Sequence, residues 1–478
     1  MLVVEEREDK FEVDPDWVMP QVMRLVPDGG RLDQEVRTLD NSYFDTPGAG
    51  LRLFGVTLRR RVGGSETGWQ LKVPTETART ELQSGSRRKT IPSVLAKAVA
   101  GLRAGERLDP VATVKTTRTA YRVLDADGEL VLEIADDQVE SGPAGRESML
   151  HSWREVEVEL GPAGKNKELK QARKLLLAAG ASPSTFRTKL DRALEPASRG
   201  GQEPPAAKAG TVGELVGAYV AEQCDVLASN DIGLRTGAPV VHKTRVAARR
   251  LRSTLRVFGD VVDAGSAEEL NNELAWYAEL LGQVRNREVL NTRLTKLIAD
   301  LPPEHVRGAV EAEITKTLAK EHDDATQRLN AAMRNRRYQH LVQLLRGWKT
   351  APPFTDAAAR KDKTAVKYVE EAKRKADKRL HNADDDVERL HRARKAEKRL
   401  RYAAELVEPA DRRMKRIARN ATDLQTLLGE HQDAEVAANF LSTISAALDG
   451  ENDSGFTYGV LMANELNRAA EIRESLRS

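Results

Sequence analysis

"VHKTRVAARRLRSTLR", residues 241–256, decides how the larger half of the chain folds. His242, Arg245, Arg249, Arg252 and Arg256 stand 3, 4, 3 and 4 residues apart, the spacing of one stripe along an α-helix. Thr244, Ala247, Leu251, Thr254 and Phe258 each follow two residues later. They fall near the opposite face and give the helix an apolar back. From His242 to Arg256 there are six Lys/Arg and no Asp or Glu. A solvated helix face normally mixes signs at i, i+4, because like charges there cost about 0.2–0.5 kcal/mol per pair. This stripe accepts that cost repeatedly. A polyanion turns the cost into a gain through charge-assisted hydrogen bonds.

The pattern returns later in the chain. "HRARKAEKRLR" (391–401) aligns with "HKTRVAARRLR" (242–252) on the His, the first Arg, a pair of cations, the Leu and the last Arg. The paired cations are Arg249–Arg250 and Lys398–Arg399. The second stripe is His391, Arg394, Lys398 and Arg401, with Glu405 next in line. Some forty residues on, "LLGQVRNREV" (280–289) is echoed by "LLGEHQDAEV" (427–436). Two echoes in the same order predict a duplicated helical unit. A Pro-containing break at 349–363 divides it into repeats at about 211–348 and 364–478.

Two such units can line a shared basic cleft. Nucleic acid is a poor occupant, since aromatic residues make up only 4% of the chain and few interleave with the stripes. A polymer that is all phosphate, inorganic polyphosphate, fits better.

Before residue 198 the pattern changes to short β-branched runs between turn signals: "GVTLRRRV", "GWQLKVP", "ELVLEIADDQV" and "WREVEVEL". They read as antiparallel strands, with a helix at 166–179. The Pro/Gly-rich "EPASRGGQEPPAAKAG" (195–210) contains the linker, placed at 198–210. The expected fold is therefore α+β and multidomain. An antiparallel β-barrel tunnel with flanking helices (1–197) precedes an all-α duplicated helical bundle (211–478).

On a strand, Glu6, Glu8 and Lys10 share one side, and so do Glu155, Glu157 and Glu159. Between these carboxylate strands lie Arg59, Arg61, Lys72 and Arg118, and after them Lys189 and Arg192. In a closed barrel alternate residues face inward, so the lumen gathers both signs. Unpaired burial of that many charges is prohibitive. A divalent cation and a phosphate chain satisfy both.

The rest of the composition sets bounds. A length of 478 residues predicts two or three domains. Net charge is +3, so the basic character is local. Cys224 is the single cysteine, which excludes an internal disulfide and fits a reducing compartment. The acidic start "MLVVEEREDK" is no signal peptide, and no apolar run approaches the roughly 18–20 residues of a membrane span. A cytoplasmic location is expected.

The ordered set Glu6-x-Glu8-x-Lys10, "YFDTP" (43–47), "LRRR" (58–61) and "EVEVEL" (155–160) resembles the CYTH domain of the triphosphate tunnel metalloenzymes. The helical half resembles a CHAD domain, the conserved-histidine α-helical domain, through His242, His391 and their basic followers. The resemblance implies hydrolysis of inorganic triphosphate to pyrophosphate and phosphate with Mg2+ or Mn2+. It implies metal ligation by Glu6, Glu8, Glu155 and Glu157, with Glu159 and Asp137 as further ligands and Glu133 beside them. Lys10, Arg59, Arg61, Lys72, Arg118, Lys189 and Arg192 would grip the substrate, with Glu6, Glu8, Lys10 and Lys189 the catalytic set. Polyphosphate would lie on His242, Arg245, Arg249, Arg250, Arg252, Arg256, His391, Arg394, Lys398, Arg399 and Arg401, and an association with polyphosphate granules follows. Rival readings are an organic triphosphatase, a class IV-type adenylate cyclase and a non-catalytic polyphosphate scaffold. Asn286 stands where the resemblance leads one to expect Asp, whereas the second repeat keeps Asp433. His151, His305, His322, His340 and His381 lack a basic stripe and are expected to bind nothing.

Overall fold

At Arg7 one strand becomes two, and that break closes the sheet. In the computed structural model, β1 (Leu2–Glu6) pairs with β6 (Arg79–Ser84), and β2 (Glu8–Val13) pairs with β9 (His151–Leu160). The remaining strands are β3 (Arg31–Asp45), β4 (Thr57–Val62), β5 (Gly68–Pro74), β7 (Asp109–Leu124), β8 (Leu130–Pro143) and the two-residue β10 (Ser182–Pro183). The sheet order is β1-β6-β5-β4-β3-β7-β8-β9-β2-β10, every pairing antiparallel. Only Arg7 separates the strand at one edge from the strand next to the other edge. The sheet therefore wraps into a barrel. The Leu160 amide donates to the Arg7 carbonyl at 3.0 Å, carrying the β2–β9 ladder through the junction.

The structure describes residues 2–64, 67–75, 79–144, 151–194, 210–383, 386–446 and 454–477, with the backbone alone for 2–6 and 477. All but Gly210 of the expected linker lies outside the described residues, as does the side chain of Glu6.

Strand alternation sorts the barrel wall into two faces. On β9, Val156 and Val158 are fully buried against Ala172 and Leu176 of α2 (Asn166–Ala178), while Glu155, Glu157 and Glu159 take the other side. Each buried Val contributes about 1.5–3 kcal/mol, which fixes the register and so commits the three glutamates to the lumen. Helix α1 spans Ser93–Ala98. A five-residue helix α3 (Lys189–Ala193) is capped by Thr188, whose hydroxyl accepts from the Asp191 amide at 3.0 Å. Its Leu190 and Ala193 pack with Val114, Val139 and Trp153 of the wall. "YFDTP" makes a turn: the Asp45 carboxylate accepts from the amides of Thr46, Leu51 and Arg52.

The chain divides into two compact units, Met1–Glu203 with Asp231–Gly237, and Pro204–Asn230 with Ala238–Ser478. The second unit is helical, with α4 (Val212–Thr236) shared across the division. Its other helices are α5 (Val241–Val257), α6 (Ala264–Ala299), α7 (Val310–Ala332), α8 (Arg336–Thr350), α9 (Val366–His381), α10 (Val387–Val407), α11 (Met414–Ala446) and α12 (Ser454–Arg477). Asp263 caps α6 and Asp386 caps α10. The apolar backs are buried as the spacing predicts: Thr244, Ala247, Leu251, Thr254 and Phe258 in the first repeat, and Ala393, Ala396, Leu400, Ala403 and Val407 in the second. Helix α5 packs on α6, α10 on α11, and α5 on α10. A core of Leu294, Ile298, Ile314, Leu318, Leu441 and Leu461 joins α6, α7, α11 and α12. No helix among the described residues is long and apolar enough to cross a membrane.

Candidate active site and basic helical face

The barrel encloses a cavity of about 450 Å3 lined mostly by polar side chains, with Leu39, Leu130, Leu160 and Pro162 among the rest. Lys10, Arg59, Arg61, Lys72, Arg118 and Lys189 all reach it, as do Glu8, Glu157 and Glu159. Arg192 does not line it. Its guanidinium stacks over Trp153 and Phe186, 5.0 and 5.4 Å from the ring centres.

One end of the cavity is a dense ionic network. Lys189 Nζ, projected from α3, lies 2.9 Å from Asp137, 2.7 Å from Glu155 and 2.8 Å from Glu157. Arg118 faces Asp137 in register across β7 and β8, and grips both its oxygens at 2.7 Å. The same guanidinium donates to Glu157 at 2.7 Å. Lys10 donates to Glu157 at 2.8 Å and lies 3.5 Å from Glu8, which also takes Arg79 of β6 at 2.7 Å. Burial alone would raise the Glu157 pKa, but Lys10, Lys189 and Arg118 overcome it and hold the carboxyl well below its usual range. The same contest, won by Arg118 and Lys189, keeps Asp137 low.

Arg59, Arg61 and Lys72 also line the cavity, each held by a neighbour. Arg59 Nε donates to Gln70 at 2.6 Å and its Nη1 reaches the Tyr43 hydroxyl at 3.4 Å. Arg61 Nε donates to Asn41 at 3.0 Å. Lys72 sits 3.1 Å from Glu81.

Asp137, Glu155 and Glu157 form a buried carboxylate cluster of the kind that holds a cation, their ligand atoms all within 4.8 Å of one another. The Lys189 ammonium already bridges all three. Glu159 is different. Among the described residues it makes no ion pair, and burial, reinforced by Glu8, Glu157 and Glu133, pushes its carboxyl up to about 7 despite Lys72. It stands opposite Glu8 on β2 and opposite Glu133 on β8. That row of carboxylates, with one member uncompensated, fits a divalent ion of hard-oxygen preference.

Sequence reasoning missed Arg37, Arg79, Tyr43, Asn41 and Gln70. Arg37 lies on β3 opposite Arg118 and pairs with Glu133 at 2.8 Å. The signal for Arg79 was available, since Arg79, Glu81 and Gln83 alternate.

In the helical unit the stripes meet where α5 crosses α10. Arg245, Arg249, Arg394 and Lys398 are half-buried, and among the described residues none makes an ion pair. Arg245 donates only to Asn286, at 3.2 Å. The two "LLG" echoes supply the floor: Gly282 lies beneath Arg245 and Gly429 beneath Arg394, where an added Cβ would come within 3.5 and 3.2 Å of the guanidinium. Burial, with Arg394, Arg249 and Arg245 around it, drives Lys398 down to about 6. Asp433 opposes this only weakly. Arg252 donates to Asn271, and Arg256 and Arg399 have no ion pair among the described residues. Arg250 and Arg401 are compensated: both bind Glu405, at 2.9 and 2.7 Å. His391 bonds Gln432 at 2.7 Å, while His242 sits near Arg285, and burial and neighbouring cations lower both imidazoles. His381, expected to bind nothing, lines a second cavity described below.

A charged antiparallel tunnel followed by a doubled helical bundle with a cationic face defines a two-module protein. Comparison with known proteins gives the family. The CYTH domain model matches residues 7–187 and the CHAD domain model matches 218–442. An uncharacterized protein of Mycobacterium tuberculosis is 31% identical over 504 residues, covering 99% of this chain and 95% of its own. The chain belongs to the CYTH–CHAD family. Among solved structures it is similar to PptA from Streptomyces chartreusis (21% identity, TM-score 0.47, 56% of this chain and 98% of that one). It is also similar to the CHAD domain of the plant Ricinus communis (22%, TM-score 0.44, 56% and 92%).

Proposed function

We propose that the barrel hydrolyses inorganic triphosphate with a divalent metal, and that the α5–α10 face binds polyphosphate. The observation that carries the first part is the convergence of Lys10, Arg59, Arg61, Lys72, Arg118 and Lys189 on one enclosed cavity beside a carboxylate row. Three linked phosphates match this alternation of cationic wall and acidic end. Arg59 and Arg61 take phosphate oxygens away from the carboxylates, while Lys10, Arg118 and Lys189 hold the other end. Glu8 and Glu159, with Glu6 by sequence and Glu157 adjoining, would hold the ion, which supplies charge neutralisation and a polarised water. Asp137 and Glu155 anchor Lys189 instead. The oxygen of water bonds to phosphorus as a lumen carboxylate takes its proton, the anhydride bond breaks with its electron pair going to the bridging oxygen, and phosphate and pyrophosphate leave, the proton passing to the leaving oxygen or to solvent. The residues contribute positioning and electrostatics.

An inorganic substrate is favoured over an organic one by the lining. Among the described residues its apolar members are few, its one aromatic ring, Tyr43, is committed to Arg59, and no other ring is there to stack on a base or thiazole. The test is phosphate release from tripolyphosphate, thiamine triphosphate and ATP, each with Mg2+, with Mn2+ and with chelator. Tripolyphosphate should lead, only with metal. Glu8→Gln should lower turnover by roughly 10^2–10^3, the scale of one lost transition-state stabiliser, with the fold retained. Full turnover in chelator, or in Glu8→Gln, ends the metal assignment.

A further inference from the structure

The helical unit carries a second cationic feature. An open cavity of about 700 Å3 lies where α9 ends and α10 begins, lined by Lys375, Lys378, Arg379, His381, Arg389 and Arg392 together with one asparagine. Among the described residues no carboxylate lines it. Lys375 pairs with Glu371 at 2.6 Å, and Arg389 lies 3.7 Å from Asp386. Among the described residues, the side chains of Lys378, Arg379 and Arg392 make no ion pair or hydrogen bond. Three cations with no direct partner among the described residues gather on one concavity and repel one another, with Asp386, which feels Arg392 as well as Arg389, a partial offset.

The cavity is continuous with the stripes. Arg392, Lys395 and Arg399 follow the 3, 4 spacing one residue around α10 from His391, Arg394 and Lys398. Arg399 is half-buried, and burial with Arg256, Arg379 and Arg252 lowers its guanidinium to about 10. Guanidinium groups of α5, α9 and α10 therefore crowd together between the two features. Lys398 and Arg392 are six residues apart, about 9 Å along the helix.

We infer that the cavity at the α9–α10 corner is a second station for the polyphosphate chain seated on the α5–α10 stripes. This rests on the polyphosphate reading of those stripes. Among the described residues the lining has cations, the His381 imidazole and an amide but no apolar side chain, so it suits phosphate and offers nothing to an acyl chain. A flexible chain of identical anions can occupy stripe and cavity at once, and the second contact then acts at high effective concentration.

The experiment uses the full chain and long-chain inorganic polyphosphate at two salt concentrations. Lys378→Glu with Arg392→Glu should weaken binding roughly tenfold and make the salt dependence shallower by about one to two ions. The control is Lys316→Glu with Lys320→Glu, two exposed cations of α7 that give the same change in net charge. It should have little effect. An equal loss in the control, or no loss in the corner variant, overturns the inference. Arg249→Glu with Lys398→Glu separates the two readings. If it abolishes binding while the corner variant binds normally, only the second station falls. If it too binds normally, the polyphosphate reading of the stripes falls with it. Single-stranded RNA that binds as tightly, and loses as much in the corner variant, would replace polyphosphate as the occupant.

Discussion

The two cationic sites solve the same electrostatic problem in opposite ways. In the barrel, the cations at the acidic end share buried carboxylates: Lys189 touches three, Arg118 bridges two strands' worth, and Lys10 holds Glu157. On the helical face, Arg245, Arg249, Arg394 and Lys398 face one another with no ion pair among the described residues. The acidic end of the barrel, Glu159 apart, is therefore balanced before any ligand arrives, and its ligands must enter an existing network. The helical face carries surplus positive charge, offset in part by Asp433 and Glu279, that an external anion would neutralise under the proposed reading. A balanced site should be read out in fold stability, and a deficient one in the pH and salt dependence of binding.

Removing Lys189 gives the largest expected effect on stability. Lys189→Met strips the cation from Asp137, Glu155 and Glu157, all nearly or fully buried. Breaking one side of such a network costs about 3–5 kcal/mol. The barrel's denaturation midpoint should fall, measured by tryptophan fluorescence in denaturant. Because the variant empties a three-carboxylate cluster, divalent cation should restore more stability to it than to the parent. A parent-like midpoint without metal would mean that the lumen is not held by its internal pairing.

The helical face should instead respond to pH. Lys398 titrates at about 6 in the free protein, and phosphate oxygens beside it would raise that value. Between the two values binding takes up a proton. Affinity for polyphosphate is then full below about pH 6 and falls as pH rises, by no more than tenfold per pH unit from this one group. His242 and His391 are lowered too and add to the fall. Lys398→Arg keeps its charge throughout, so its binding curve should be flatter above about pH 7. An identical slope in that variant would remove Lys398 from the site.

The contrast also explains what could be read without coordinates. Alternation of Glu and Val on β9 declares a two-faced strand, and the His/Arg stripes declare a helix. Each is a repeated chemical difference at a fixed period. Strand β3 carries polar residues on both faces, so "RLDQEVRTLDNSY" gives no period, and Arg37 and Asn41 were lost with it. The break at Arg7 was also hidden, because nothing in "EREDKF" says that its two halves pair with different strands. Nor could spacing separate the carboxylates that anchor Lys189 from the one left uncompensated, since Glu155 and Glu159 differ only in what stands across the lumen. Glu405 was visible as a wrong-sign residue at the end of a stripe. Its partner Arg250, 155 residues away, was not.

The smallest effect tests the finest difference, that between the two repeats. Arg394 has Asp433 nearby, and Arg245 in the same relative position has the neutral Asn286. At this position the first repeat lacks the acid that the second has, and Glu279 stands near Arg245 instead. Asn286→Asp should make the repeats alike and weaken polyphosphate binding by a few-fold, the scale of one partly exposed ion pair, about 0.2–1 kcal/mol. Asp433→Asn should strengthen it by a similar factor, because the Arg394 guanidinium would then be compensated only by ligand. Titration calorimetry on both variants at one salt concentration decides the point. Shifts of the same sign would show that the acid at this position props up the arginine's geometry, so the asymmetry between repeats would concern packing and not charge.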